Sequence, residues 1–211
     1  MGQDNPDEVI VYDYMYGEAD DALAWANTGG KLAVKFHPQL PWLGYPLSVV
    51  GGAIYISPDF PPGQIIGSSF RIEVYDDNGV DGYPYTLLGS VDCTVDSTGW
   101  YEFYGLDVTI NQGMFYIAMV QTDEYPNCAG LGIDYESGAN YWEMSYVQMP
   151  DSTDWEFSIY QNFMIKAYVD TEVGYGEIIN KSAHIYSYPN PFTTSTTIEY
   201  ELTEPSHIQL T

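Results

Sequence analysis

The strongest constraint on the fold is an alternation of apolar and polar residues with a period of two. In residues 163–169 every second side chain is apolar and would lie on one face of an extended strand, and residues 70–75 repeat the pattern. An amphipathic helix would need a period near 3.6, and no long segment shows one. Gly, Pro, Asp and Asn separate the apolar runs, as turns separate strands. The sequence therefore predicts an all-β protein.

Eight or nine short strands are predicted, enough for two packed antiparallel sheets. We expect an all-β, antiparallel jelly-roll-like β-sandwich over residues 19–169, after a lead-in segment of residues 1–18. Residues 19–26 are the main candidate for a turn or two of helix, which Gly29 and Gly30 would end. The predicted strands are residues 32–36, 47–56, 70–75, 87–95, 100–106, 114–120, 141–144, 155–159 and 163–169.

A second β pattern begins near the C-terminus. The apolar pattern lapses over residues 170–187, which we interpret as a linker. Alternation resumes in residues 196–202 and again at Ile208 and Leu210, after a turn at Glu204 and Pro205. Two strands cannot close a core of their own. We therefore expect residues 188–211 to be the first strands of an incomplete domain.

The charge balance excludes several classes of partner. Asp and Glu number 30 against 5 Lys and Arg, a net charge of -25. Such a surface repels nucleic acid and anionic membranes. Membrane insertion is not expected either, because the sequence has no run of about 18 apolar residues. Residues 1–5 lack the basic and apolar segments of a signal peptide, so export must be inferred from other features.

Cys93 and Cys128 are the only cysteines, too few for a structural zinc site. Both follow predicted strands and lie near turn residues. An exported protein could join them in a single disulfide, and two separate free thiols are the alternative.

A candidate calcium site follows the strand at 70–75. Asp76, Asp77, Asn78 and Asp81 cluster oxygen ligands of the kind that Ca²⁺ prefers, which would make calcium a structural cofactor. The EF-hand pattern is not met, since Leu88 stands where its bidentate Glu belongs. The alternative is a hairpin loop built from turn-forming residues.

Aromatic residues in predicted loops suggest a carbohydrate-binding surface, because sugars stack their apolar faces on aromatic rings. Loop aromatics are harder to explain as core than strand aromatics are. The alternative is that these rings fold inward and cap the ends of the sandwich. The candidates are Trp42, Tyr45, Tyr83, Tyr85, Trp142 and Trp155.

Catalytic signatures are missing from the sequence. No GxSxG or HExxH motif occurs, and the Gly-rich pieces match no phosphate-binding loop. A Ser-His-Asp triad would have to recruit His37, and nothing marks a partner serine. We therefore predict that the chain is not an enzyme and has no catalytic residues.

The C-terminal segment resembles a known family. Residues 188–192 (YPNPF), 196–202 (TTIEYEL) and 207–210 (HIQL) closely resemble the start of type IX secretion C-terminal sorting domains. The resemblance implies a truncated Ig-like β segment, a secreted bacterial protein and the secretion machinery as a partner. A generic linker followed by an edge hairpin is the alternative.

The upstream part is similar to β-sandwich modules that precede such sorting domains in large secreted proteins. The similarity rests on residues 31–38 (KLAVKFHP), 70–82 (FRIEVYDDNGVDG), 99–101 (GWY) and 162–169 (NFMIKAYV). It implies a non-catalytic accessory or spacer module, secreted or at the cell surface, beside a catalytic domain of the parent protein. The alternative function is a carbohydrate-binding module that uses the loop aromatics.

Overall fold

The computed structural model describes residues 9–14, 18–38, 45–135, 144–158, 162–170, 183–188 and 197–202. The chain divides into two compact units, Met1–Gly174 and Tyr175–Thr211. The strands are β1 (Val9–Tyr12), β2 (Asp21–Leu23), β3 (Lys31–Phe36), β4 (Leu47–Ile56), β5 (Ser69–Asp76), β6 (Leu87–Thr94), β7 (Gly99–Ile110), β8 (Phe115–Gln121), β9 (Leu131–Asp134), β10 (Ser145–Gln148), β11 (Trp155–Phe157), β12 (Asn162–Phe163), β13 (Ile165–Asp170), β14 (Ala183–Tyr188) and β15 (Thr197–Leu202).

The first unit is an antiparallel sandwich of two sheets, which confirms the predicted fold class. The seven-stranded sheet has the order β1-β13-β4-β9-β12, with β2 paired to β9 and β7 paired to β4. The six-stranded sheet has the order β11-β10-β3-β8-β5-β6. In the described parts of the chain, no helix is long and apolar enough to cross a bilayer.

The interior between the sheets is filled by apolar side chains. β13 alternates buried and half-buried residues as predicted, and one face of β3, β5 and β13 enters the interior. β3 and β5 also bury residues of their other face, at Ala33 and Tyr75. Full burial of each large apolar side chain stabilises the fold by about 1.5–3 kcal/mol. The largest fully buried side chains of this interior are Phe36, Phe70, Phe115, Phe163, Leu47, Ile54, Ile56, Ile72, Ile117, Leu131 and Ile133.

A β-bulge in β4 lies where this strand passes between its two close neighbours, β7 and β13. The pairing of β4 with β7 shifts register between Val49 and Gly51. A Cβ atom on Gly52 would lie 2.2 Å from the carbonyl oxygen of Lys166, so only glycine allows the strands to approach this closely. The Gly51-Gly52 pair, interpreted from sequence as a bulge or bend, has that role.

A layer of aromatic and small side chains also covers the outer face of the six-stranded sheet. We call this layer the outer aromatic cluster. As a result β8 is buried at all seven of its positions, as its unbroken apolar sequence predicts. The buried members of the outer aromatic cluster are Ala33, Tyr75, Tyr116, Ala118 and Tyr146, and Tyr83, Trp155 and Phe157 pack against them.

Positive charges are few, and each described one contacts another group of the protein. Lys31 and Arg71 form ion pairs with Glu73 and Asp92. Lys166 pairs with Asp13, and the Lys35 ammonium lies 5.4 Å from the centre of the Tyr116 ring. The described surface therefore presents far more free carboxylates than free cations.

Several sequence predictions need correction. Residues 19–26 are not helical, because Asp21–Leu23 pairs with β9 as a strand. The predicted lead-in segment contributes β1, which pairs with β13. β9 lies in a stretch that was predicted to be a loop. Residues 163–169, predicted as one strand, contain two strands, β12 and β13.

The described residues of the second unit, 183–188 and 197–202, form an antiparallel pair of strands. β14 pairs with β15 from Ala183 opposite Leu202 to Tyr188 opposite Thr197. β15 confirms the alternating strand predicted at 196–202, whereas β14 lies inside the predicted linker.

Candidate functional site

A groove of about 460 Å³ crosses the outer face of the seven-stranded sheet. Three neighbouring strands, β13, β4 and β7, supply most of it, and the turn between β6 and β7 closes one end. Its lining residues are Ala53, Asp96, Ser97, Trp100, Tyr101, Glu102, Lys166 and Tyr168. We call this feature the sheet groove.

Strand register explains why the groove forms. Ala53 of β4 lies opposite Lys166 on one side and Glu102 on the other. Gly51, two residues earlier, lies between Tyr168 and Tyr104 in the same way. The long side chains of the flanking strands therefore form two walls, which contact each other across β4 and cover its small residues.

A carboxylate links the aromatic residues of the two walls. The Tyr168 hydroxyl donates to Oε1 of Glu102 at 3.0 Å, and the Tyr104 hydroxyl donates to Oε2 at 3.0 Å. Burial, and then the hydrogen bond to Glu102, raises the pKa of Tyr168 to about 12. Both hydroxyls therefore keep their protons at neutral pH, and Glu102 holds the two rings in place.

The ammonium of Lys166 is fixed at one end of the groove. It lies 3.9 Å from the centre of the Trp100 ring, a cation–π contact, and 2.9 Å from Oδ2 of Asp13. The Tyr55 ring meets Trp100 edge-on, with centroids 5.7 Å apart. The Lys166 ammonium, a donor, and the acceptor oxygens of Glu102 thus line the same groove.

The groove offers hydrogen-bond donors and acceptors. Its lining residues include no histidine or cysteine. The one lining serine, Ser97, donates its hydroxyl to Oδ1 of Asp96 at 2.9 Å. His37 lies just past the end of β3, where its backbone N–H donates to the Tyr14 hydroxyl at 3.0 Å. The arrangement can bind a polar ligand in a fixed orientation.

Of the predicted loop aromatics, two pack inward. Tyr83 packs edge-on against Tyr146, and Trp155 packs edge-on against Tyr75, with centroids 5.4 and 5.7 Å apart. Both therefore cover the outer aromatic cluster. Tyr45 donates to the carbonyl oxygen of Gly113. Tyr85 is 75% exposed, and Trp42 and Trp142 lie outside the described residues.

The predicted calcium loop is a hydrogen-bonded hairpin. Oδ2 of Asp77 accepts from the Met114 N–H at 2.9 Å, and Oδ1 of Asp76 accepts from the Asp77 N–H at 2.9 Å. Asn78 exchanges two hydrogen bonds with Thr86, and Asp81 has a positive φ of 57° within the turn. No three acidic, His or Cys side chains of the described residues are placed to hold a metal ion. These contacts match the alternative of a hairpin loop built from turn-forming residues, and calcium binding by Asp76, Asp77, Asn78 and Asp81 stays a prediction.

Replacing Asp77 by alanine should destabilise the sandwich by about 1.5 kcal/mol, because the Met114 N–H loses a charged acceptor. Chemical denaturation should give the same loss in excess CaCl₂ and in EDTA. Glu156→Ala, an exposed acidic control on β11, should change stability by less than about 0.5 kcal/mol. A loss seen only with calcium present would support the metal interpretation.

The two cysteines are separate free thiols, and both are buried. Cys93 lies on β6 opposite Phe70, and Cys128 precedes β9. Burial raises the pKa of each thiol to about 11, and the nearby carboxylates Asp92 and Asp123 add to the effect. The predicted disulfide is therefore not formed in this structure.

Both thiols should resist alkylation in the native protein. Because the thiolate is the reactive form, a pKa near 11 leaves little of it at neutral pH. Iodoacetamide at pH 8 should label neither cysteine in native protein and both after unfolding in guanidinium, as counted by intact mass. Absence of labelling in the unfolded, unreduced protein would instead demonstrate a disulfide.

Sequence reasoning missed the residues of the sheet groove. The lining residues Trp100, Glu102, Lys166 and Tyr168 lie on strands, as does Tyr104 beside them, whereas the candidate aromatics came from predicted loops. The signal was an aromatic or charged residue at positions 100, 102 and 104 of β7 and at 166, 168 and 170 of β13, next to small residues of β4.

Comparisons with known proteins show similarity of fold. No family model matches the chain, and no curated protein matches it. Two solved structures share the fold. One is the clostridial cysteine protease Cwp84 after propeptide cleavage, with a TM-score of 0.54 and 15% identity over 78% of this chain and 41% of that one. The other is described as the cysteine protease and lectin-like domains of Cwp84, a surface layer associated protein of Clostridium difficile, with a TM-score of 0.53 and 16% identity over 78% and 36%. This chain therefore spans about two fifths of their length.

Proposed function

We propose that the sandwich is a non-catalytic accessory module of a larger protein that is secreted or displayed at the cell surface. The observation that carries this proposal is the packing of the interior. Apolar side chains of both sheets fill it, so the functional groups are confined to outer faces and loops. The sheet groove lies on such an outer face, and its lining residues include no histidine or cysteine.

The structural neighbours support a role beside a catalytic domain. One combines cysteine protease and lectin-like domains in a surface layer associated protein. A chain with the same fold and about two fifths of that length suits one part of such a protein. The proposed partner is therefore a neighbouring catalytic domain of the parent protein.

The C-terminal strands support export as part of the same proposal. The resemblance of residues 188–192 and 196–202 to type IX sorting domains would make the secretion machinery a second partner. β15, which pairs with β14, covers the alternating segment 197–202 of that resemblance.

Activity assays test the absence of catalysis. The full chain is incubated with casein, nitrophenyl esters and nitrophenyl glycosides, and we expect no turnover above the buffer rate. Turnover that is abolished in Glu102→Gln and retained in Tyr85→Phe would show that the sheet groove is an active site and would overturn the proposal.

A further inference from the structure

The sheet groove has the chemistry of a binding site, and nothing in the accessory role assigns it a ligand. We infer that the sheet groove binds an uncharged carbohydrate. This inference goes beyond the proposed function, because a spacer module needs no ligand.

The size and openness of the groove suit a small part of a polymer. Its volume of about 460 Å³ lies within the range of about 300–1,000 Å³ that is typical of small-ligand sites. Ala53 and Gly51 are buried beneath the flanking side chains, so a ligand would lie on those side chains and a longer chain could extend along the sheet surface. A polysaccharide can therefore bind by a short internal segment.

Two tyrosine rings provide stacking surfaces. The Tyr104 side chain is 59% exposed, and the Tyr104 and Tyr168 ring centroids are 6.0 Å apart at an interplanar angle of 45°. The C–H faces of a sugar pack favourably on the electron-rich faces of such rings. Since Lys166 covers one face of Trp100, the tyrosines are the rings best placed for stacking.

The polar groups match vicinal hydroxyls. A sugar hydroxyl can donate to the Glu102 carboxylate while its neighbour accepts from the Lys166 ammonium. Glu102 and Lys166 are already held by Tyr168, Tyr104 and Asp13. Little side-chain ordering is then required on binding, which favours affinity.

The charge of the site selects against acidic ligands. Asp96 and Glu102 line the groove with Lys166 as the one cationic side chain among its lining residues, and Asp13 already pairs with that lysine. Phosphate, sulfate or uronate groups would meet repulsion here, reinforced by the net charge of -25. Apolar ligands are disfavoured because these charges would lose water without gaining a partner.

The test is calorimetric titration of the full chain with neutral polysaccharides, namely dextran, laminarin, glucomannan and xylan, and with polygalacturonate and dextran sulfate as acidic probes. We expect binding of at least one neutral polymer, unchanged by moderate salt, and none of the acidic polymers. Glu102→Gln and Tyr104→Ala should each weaken binding about tenfold. Tyr85→Ala, which removes an exposed tyrosine away from the groove, should leave it unchanged.

Thermal unfolding of each variant establishes that it is folded, and Tyr168→Phe, which keeps the ring and removes one hydroxyl, provides a milder second probe with a smaller loss. The inference is overturned if no neutral polymer binds, if the acidic polymers bind instead, or if Tyr85→Ala weakens binding as much as Tyr104→Ala. None of these results touches the accessory role, which only turnover of a substrate would contradict.

Discussion

Replacing Phe115 by alanine should destabilise the sandwich by about 3–5 kcal/mol, the cost of removing a large buried aromatic side chain and leaving a cavity. Phe115 is fully buried on β8 and stacks on Phe36 with centroids 5.4 Å apart. Because single domains have a net stability of only about 5–15 kcal/mol, the loss should be plain in guanidinium denaturation followed by tryptophan fluorescence.

Tyr85→Ala is the control for this variant, because its side chain is 75% exposed and should contribute less than about 0.5 kcal/mol. Similar losses for the two variants would mean that Phe115 does not belong to the shared interior of the two sheets.

Replacing Lys31 by methionine should destabilise the fold by about 3 kcal/mol, because it leaves the Glu73 carboxylate buried without its cation. The Lys31 ammonium lies 2.9 Å from Oε2 of Glu73 and also donates to the Tyr75 hydroxyl. Glu73 is 7% exposed, so little water can replace the lost partner. Urea denaturation of wild type and variant measures the difference.

The exposed ion pair on the same sheet is a matched control. Arg71 and Asp92 retain 44% and 75% side-chain exposure, and Arg71→Met should cost at most about 1 kcal/mol. In the double variant Lys31→Met, Glu73→Gln, at least half of the lost stability should return, since the buried charge is removed. Equal effects of the two single substitutions would show that burial does not distinguish the pairs.

The strands were predictable where one face of a strand meets the interior. β3 and β5 lie within one residue of the predicted ends at each terminus, and β4 matches residues 47–56. β9 was missed because all four of its residues are buried, so its short sequence carries no alternation. β2 was mistaken for helix because three residues are too few to show a period.

The binding surface was less predictable, because cross-strand register assembles it. Ala53, Glu102 and Lys166 are far apart in sequence and become neighbours only when β4 pairs with β7 and β13. For Tyr83 and Trp155 the sequence left a sugar-binding surface and inward packing as alternatives, and the structure shows both rings packed on the outer aromatic cluster. Tyrosines at the solvent-facing positions of β5, β8 and β10 were the sign that this face is also covered.

The ion pairs and ring contacts of the described lysines and arginine affect how copies of the module behave when crowded. With these cations engaged and a net charge of -25, two approaching copies present carboxylates to each other from most directions. Their mutual repulsion reaches about 8–10 Å at physiological salt before ions in the medium screen it. Modules packed densely on one surface would thus keep water-filled gaps between them, through which soluble polymers could still diffuse.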